Sequence, residues 1–215
     1  MIMRIAHIVS PAPLRRRVVC RAALGSAAAS AWLRPSPGHA DEPTGKVESL
    51  RGQAFAQAGA RRRALTQAGD VFIGDLVATA ANSALELLLG ATTHVRLGAE
   101  AQLRIDRFLV EAGGVLELAR GPMLFDRDET APKADTAIRS PFGLIAVRGT
   151  RFFAGPSNGV FGVFVARGRV TVVGASTAVE VTDGLGTDIA APGANPTAPH
   201  PWGPARIQRA FADVQ

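Results

Sequence analysis

The sequence predicts an all-β protein: many short strands in an irregular β-solenoid-like or sandwich arrangement, followed by a short C-terminal helix. Three observations predict it. From Lys46 to Ile189 the apolar residues come in short clusters separated by Gly, Asn, Asp or Thr, with no sustained 3.6-residue stripe, which is the rhythm of strands. Turn chemistry falls between those clusters. At 47% apolar and 20% charged residues, the chain has the material for a hydrophobic core.

The first 40 residues read as a cleavable leader of the twin-arginine type. A basic stretch at Arg15 to Arg17 precedes an Ala-rich, mildly apolar stretch from Ala22 to Leu33 and a small-residue exit at Gly38-His39-Ala40. Arg16-Arg17-Val18-Val19-Cys20-Arg21 has the order of that export signal, with Arg15 where Ser or Thr is usual. About 12 uncharged residues separate Arg21 from Arg34, too few for a spanning helix of about 20, so no stable membrane insertion is expected after cleavage. The leader carries six arginines (Arg4, Arg15, Arg16, Arg17, Arg21, Arg34), no acid and the single cysteine, Cys20. Of 24 basic residues, 18 then remain against 18 acidic ones, so the mature chain is neutral and nucleic acid is set aside as a partner. Without cysteine it has no disulfide, thiol nucleophile or thiolate metal site.

Candidate strands follow at 45–53, 71–72, 76–80, 84–89, 94–97, 102–106, 115–119, 123–126 and 136–139, then at 144–153, 162–166, 169–173, 178–182 and 186–189. Gly113-Gly114 and Ala166-Arg167-Gly168-Arg169 read as tight turns, the second joining strands on either side, and Thr182-Asp183-Gly184-Leu185 as a third. Residues 128–135 read as a surface loop. The spacing fits a sandwich or a coil of short strands, and no strict repeat separates the two. After Ala191, Pro192, Pro196, Pro199, Pro201 and Pro204 exclude helix and ladder and define an extended arm. Ala205 to Val214 then puts Ile207, Ala210, Phe211 and Val214 on one helical face, packing on the domain or on a partner.

Little in the mature chain points to chemistry. His94 and His200 have no metal-ligand spacing partner, so no metal is expected, and there is no nucleophile elbow or phosphate-cradling loop, so neither a cofactor nor an enzyme is expected. Asp126, Asp128, Glu129 and Asp135 fit no cation-loop motif and read, with Arg127 and Lys133 among them, as a solvated loop. The chain has no Tyr, Trp202 is its single mature tryptophan, and the ten Phe read as core. Most distinctive is Ser140 to Phe153, where an apolar strand carries Arg148 and Gly149 in its middle. A mid-strand Gly marks a bulge or a close backbone approach. Arg148 either ties two strand layers together, with Asp75 as its candidate partner and Thr150 satisfying a carbonyl, or faces a ligand.

Pro141-x-Gly143-x-x-x-Val147-Arg148-Gly149-Thr150-x-Phe152 resembles the signature of the FecR-type domain. So do the opening strand Gly45 to Gly52, the Gly-Asp turns at Gly69-Asp70 and Gly74-Asp75, the strand at Ala84 to Leu87 and the segment Phe164 to Val170, a coverage of roughly residues 45–193. The resemblance implies an extracytoplasmic strand-rich fold with a protein- or ligand-binding habit, no catalytic residues, and structural roles for Gly74, Asp75, Pro141, Gly143, Arg148, Gly149 and Thr150. Members of that family known as transmembrane regulators carry a cytoplasmic segment acting on a sigma factor; here a leader stands in its place, which predicts a stand-alone periplasmic or secreted member. The resulting expectation is a non-catalytic module, residues 45–193, that binds another envelope protein or senses a signal. Residues 194–215 supply docking elements, with Arg148, Trp202, Ile207 and Phe211 as candidate contacts. The alternative is a small-molecule or cell-wall glycan-binding protein with a groove near Arg148. Partner identity and oligomeric state stay open.

Overall fold

The computed structural model describes residues 42–109, 113–132 and 134–215, so the leader expected at 1–40, Cys20 and Lys133 lie outside the described residues. The strands, in chain order, are β1 (Gly45–Arg51), β2 (Ala54–Ala58), β3 (Arg61–Ala64), β4 (Asp70–Val71), β5 (Leu76–Thr79), β6 (Ala84–Leu89), β7 (Thr93–Leu97), β8 (Gln102–Leu109) and β9 (Gly113–Arg120). They continue with β10 (Met123–Arg127), β11 (Asp135–Ser140), β12 (Gly143–Arg148), β13 (Arg151–Ser157), β14 (Val160–Arg167), β15 (Arg169–Val173), β16 (Ala178–Thr182), β17 (Leu185–Ile189) and β18 (His200–Pro201), and the helix α1 (Pro204–Ala212) ends the chain.

These strands form two nine-stranded sheets, with no closed barrel. Sheet I runs β18-β17-β14-β13-β10-β7-β6-β1-β4, and sheet II runs β16-β15-β12-β11-β9-β8-β5-β2-β3. From β6 onward the chain alternates between the two sheets, placing a pair of consecutive strands at each visit except at β10, a single strand in sheet I. Period two supplies the core: in β6, Leu85, Leu87 and Leu89 are buried while Ala84, Glu86 and Leu88 face outward. Inward residues of both sheets, among them Val95, Ile105, Leu116, Phe125, Ile145 and Phe152, make one continuous apolar cluster. Each such side chain contributes about 1.5–3 kcal/mol by leaving water. Of the two arrangements left open by strand spacing, the stacked sheets are the one formed. A single solenoid-like turn survives within them, since β9 and β11 pair in parallel after the chain has crossed to sheet I and back through β10.

Four local expectations are corrected. The strand expected at 144–153 is two strands in different sheets, and Gly149 (φ +68°) is the corner between them rather than a bulge. The turn at Gly168 (φ +90°) is likewise no hairpin, because β14 lies in sheet I and β15 in sheet II. The two corners touch: a Cβ on Gly168 would stand 2.7 Å from Thr150 Cγ2 and 3.2 Å from the Gly149 carbonyl oxygen. The β2–β3 hairpin falls where no strand was expected, because its Ala- and Arg-rich sequence lacks β-branched residues. The Pro-rich arm, expected to be excluded from any ladder, supplies β18, which pairs with β17 at the edge of sheet I, where a missing N–H costs nothing.

Candidate functional site

On the outer face of sheet II, Val115, Ala137, Ala146 and Thr171 stand in register across β9, β11, β12 and β15. Their short side chains leave a shallow cavity of about 1080 Å³ walled by Arg107, Asp135, Arg148, Arg169 and Asp183. Gly149 and Gly168, the paired corners, border it. Arg148 is displayed here with its side chain 68% exposed, and its Nε lies 3.8 Å from Asp135 Oδ1. The tie between layers expected for it does not form, because Val147 and Ile145 take the inward parity of β12 and leave Arg148 facing out.

Asp75 is buried, and its partner is Arg63 on β3 rather than Arg148. Arg63 donates through both terminal nitrogens, at 3.0 and 2.6 Å, and the Phe72 N–H adds a third bond at 2.9 Å. The Asp75 carboxylate raises the Arg63 pKa above its ordinary value, chiefly through that hydrogen bond. Gly74 (φ +87°) makes the turn before it and donates to the Ile105 carbonyl. Pro141 occupies the β11–β12 turn, and a side chain on Gly143 would strike the Val173 carbonyl. Thr150 is fully buried, yet its hydroxyl finds no partner among the described residues, against the carbonyl expected for it; its own carbonyl accepts the Arg127 N–H.

The arm and helix pack on the outer face of sheet I. Trp202, 5% exposed, lies over Gly162 and Gly186, where any Cβ would meet its ring, and stacks on Phe164 at 5.3 Å between centroids. Arg206 clamps the helix in place: it donates to both carboxylate oxygens of Asp188 at 3.1 and 2.6 Å and covers the indole face at 3.5 Å. Ile207 and Phe211 are half-buried against the same cluster. Of the two dockings left open for the helix, it takes the one on its own domain.

The acidic group expected as one solvated loop is divided. Asp126, on β10, faces Arg151 and Arg167 at 3.6 and 3.1 Å, Glu129 meets Arg167 at 3.0 Å, and Asp135 belongs to sheet II. Asp128 is held below its ordinary pKa by hydrogen bonds from the Thr130 N–H and hydroxyl. Arg127, expected among them in solvent, is instead the bulkiest fully buried side chain described, donating to the Pro132 carbonyl and to Thr93.

His94, read as a strand-surface residue without a metal-ligand spacing partner, lies on the surface of β7 beside two carboxylates. Its Nδ1 lies 2.6 Å from Glu48 Oε2 and 3.8 Å from Glu86 Oε1. The linear intervals carry no motif, because the three residues come from β1, β6 and β7 and only the register of sheet I brings them together. A bulge between Val47 and Ser49 turns Glu48 toward the histidine. One His and two Glu with ligand atoms all within 4.8 Å are the one group among the described residues with the composition of a metal site.

Residues 75–171 match the family model described as FecR protein. No curated protein matches the chain. Two crystal structures of a candidate anti-sigma factor from Parabacteroides distasonis, at 1.65 and 2.50 Å resolution, each match with a TM-score of 0.53 and 13% identity over 63% of this chain. That likeness is one of fold. The match spans 64% of the first neighbour's length and 63% of the second's.

Proposed function

Proceeding from a FecR-type domain in a two-sheet frame, we propose that this protein is a non-catalytic regulatory module of the bacterial envelope that binds another envelope protein through the outer face of sheet II. The observation that carries the reading is the cavity around Arg148: a small-residue floor, an exposed arginine whose ion pair with Asp135 is long at 3.8 Å, so that it can meet a partner's carboxylate, and β16 at its margin. Among the described residues β16 pairs with β15 alone, and Glu180 is the one charge in its sequence AVEVT, so an extended segment of a partner can add to it as a further strand. The other sheet ends are guarded, β3 by three arginines and β4 and β18 by having two residues each. Among the described residues no aromatic ring lines the cavity, so none of them favours stacking on a sugar.

Export through residues 1–40 completes the reading. Arg16→Lys with Arg17→Lys is expected to hold the precursor in the cytoplasm, and undiminished export would assign it to the general secretory route. Among the described residues no helix is long and apolar enough to cross a membrane.

The test of binding is photo-crosslinking in intact cells from a benzophenone side chain placed at position 148 or 180, with position 73, an exposed isoleucine outside the cavity, as control. One envelope protein captured from 148 and 180, not from 73, is the expected result. If no protein is captured and a soluble glycan or small molecule raises the melting temperature instead, the protein-binding reading is wrong.

A further inference from the structure

We infer that Glu48, Glu86 and His94 on the outer face of sheet I form a binding site for a divalent transition-metal ion of the zinc class. One imidazole nitrogen and two carboxylates are a donor set suited to zinc, and their ligand atoms already lie 2.6 to 4.8 Å apart. Around a tetrahedral zinc with bonds of about 2.0–2.2 Å, ligand atoms stand about 3.3–3.5 Å from one another. The observed separations bracket that value. The side chains are 30%, 19% and 41% exposed for Glu48, Glu86 and His94, so an ion can enter and water can fill the remaining position.

The surroundings are those of a supported site. Glu86 accepts from Arg96 Nε at 2.8 Å through Oε1, the oxygen 3.8 Å from His94 Nδ1, and from the Ser49 hydroxyl at 3.3 Å through Oε2, which fixes its carboxylate beside the histidine. Asp126 stands directly opposite His94 in the β7–β10 register, and the Asp128 carboxylate lies close enough to interact electrostatically with His94. The bulge at Glu48 is a local departure from regular pairing that turns this side chain toward the other two.

Occupancy would link β1, which precedes the FecR match, to β6 and β7 within it. The metal would therefore stabilise the N-terminal edge of sheet I by mass action, raising the melting temperature as its concentration rises. This inference is independent of the cavity on sheet II.

Titration of the full chain with zinc chloride, followed by calorimetry and thermal unfolding, tests it. The expected result is one saturable site that His94→Ala abolishes and Glu48→Gln or Glu86→Gln weakens at least about tenfold, with His200→Ala unchanged and calcium without effect. The ring nitrogen resonances of His94 are expected to shift on zinc addition. Comparison of melting temperatures without zinc separates loss of binding from loss of folding, and Glu48→Gln, whose side chain is partly exposed, serves if His94→Ala unfolds the chain. Absence of a saturable isotherm, or binding equally strong in His94→Ala and therefore carried by Cys20 or another histidine, overturns the site.

Discussion

The outer faces of the two sheets begin alike, as strands with every second side chain turned away from the core, and end differently. Sheet I places Leu124, Phe153 and Phe164 in one outward row, and the chain's own Trp202, Ala210 and Val214 cover them. Sheet II places Val115, Ala137, Ala146 and Thr171 on its outer face; Val115 is buried by its neighbours, and the others are half-buried or exposed on the floor of the cavity. An apolar outer face demands a lid, and the C-terminal arm supplies it. A face of small and polar groups is stable in water and stays available. The difference separates a surface built for stability from one suited to recognition, and it can be tested from both sides.

Removing the lid is expected to have the largest effect. Trp202→Ala strips the ring that fills the glycine floor of Gly162 and Gly186, and a loss of about 3–5 kcal/mol is expected in chemical denaturation. A loss below about 1 kcal/mol would mean that the arm is not integral to the fold. Next comes the frame that both faces share. Gly168→Ala forces a side chain into the left-handed region and against Thr150, and about 2 kcal/mol of destabilisation is expected from the same measurement. Arg148→Ala is expected to change stability by less than about 0.5 kcal/mol, since its side chain is exposed and its ion pair long, while cross-linking from position 180 is lost.

The smallest effect concerns the loop beside the charged part of sheet I. Thr130→Ala deletes one of the two bonds holding the Asp128 carboxylate ionised, and its pKa is expected to move part of the way back up, because the backbone N–H bond remains. A carboxyl whose folded pKa is depressed stabilises the fold above its unfolded pKa, and that contribution is lost as pH falls through the folded value. The variant should therefore lose its share at slightly higher pH on acidification, measurable by titration of the Asp128 resonance. An unchanged midpoint would show that the hydroxyl contributes nothing.

Much of the fold was legible because strand period and turn chemistry are local. Fourteen candidate strands anticipated most of those observed, and the FecR signature residues Gly74, Gly143 and Gly149 fall where positive φ or a close backbone approach requires glycine. Less of the candidate site could be read. Arg148 stood out as an arginine in an apolar run, yet whether it faced inward depended on the parity of β12 after the corner at Gly149. His94, Glu48 and Glu86 were invisible as a group because Glu48 stands 46 residues before His94, and only the register of β1 beside β6 and β7 brings it to the other two, a distance across which no linear motif can reach. Arg127 was read as solvated from its charged neighbours, whereas strand alternation turns it inward and them outward.

What the sequence by itself determined is which residues alternate between core and solvent, where the chain must turn, the neutrality and cysteine-free character of residues 41–215, and the FecR-type pattern. Tertiary structure alone decided which sheet each strand joins. A glycine with positive φ serves a hairpin and a sheet-to-sheet corner equally well, so Gly149 and Gly168 could not announce which they make; the choice falls to the packing of two apolar faces against each other. That same choice aligned Glu48, Glu86 and His94, laid Trp202 over its glycines, and left the face around Arg148 open.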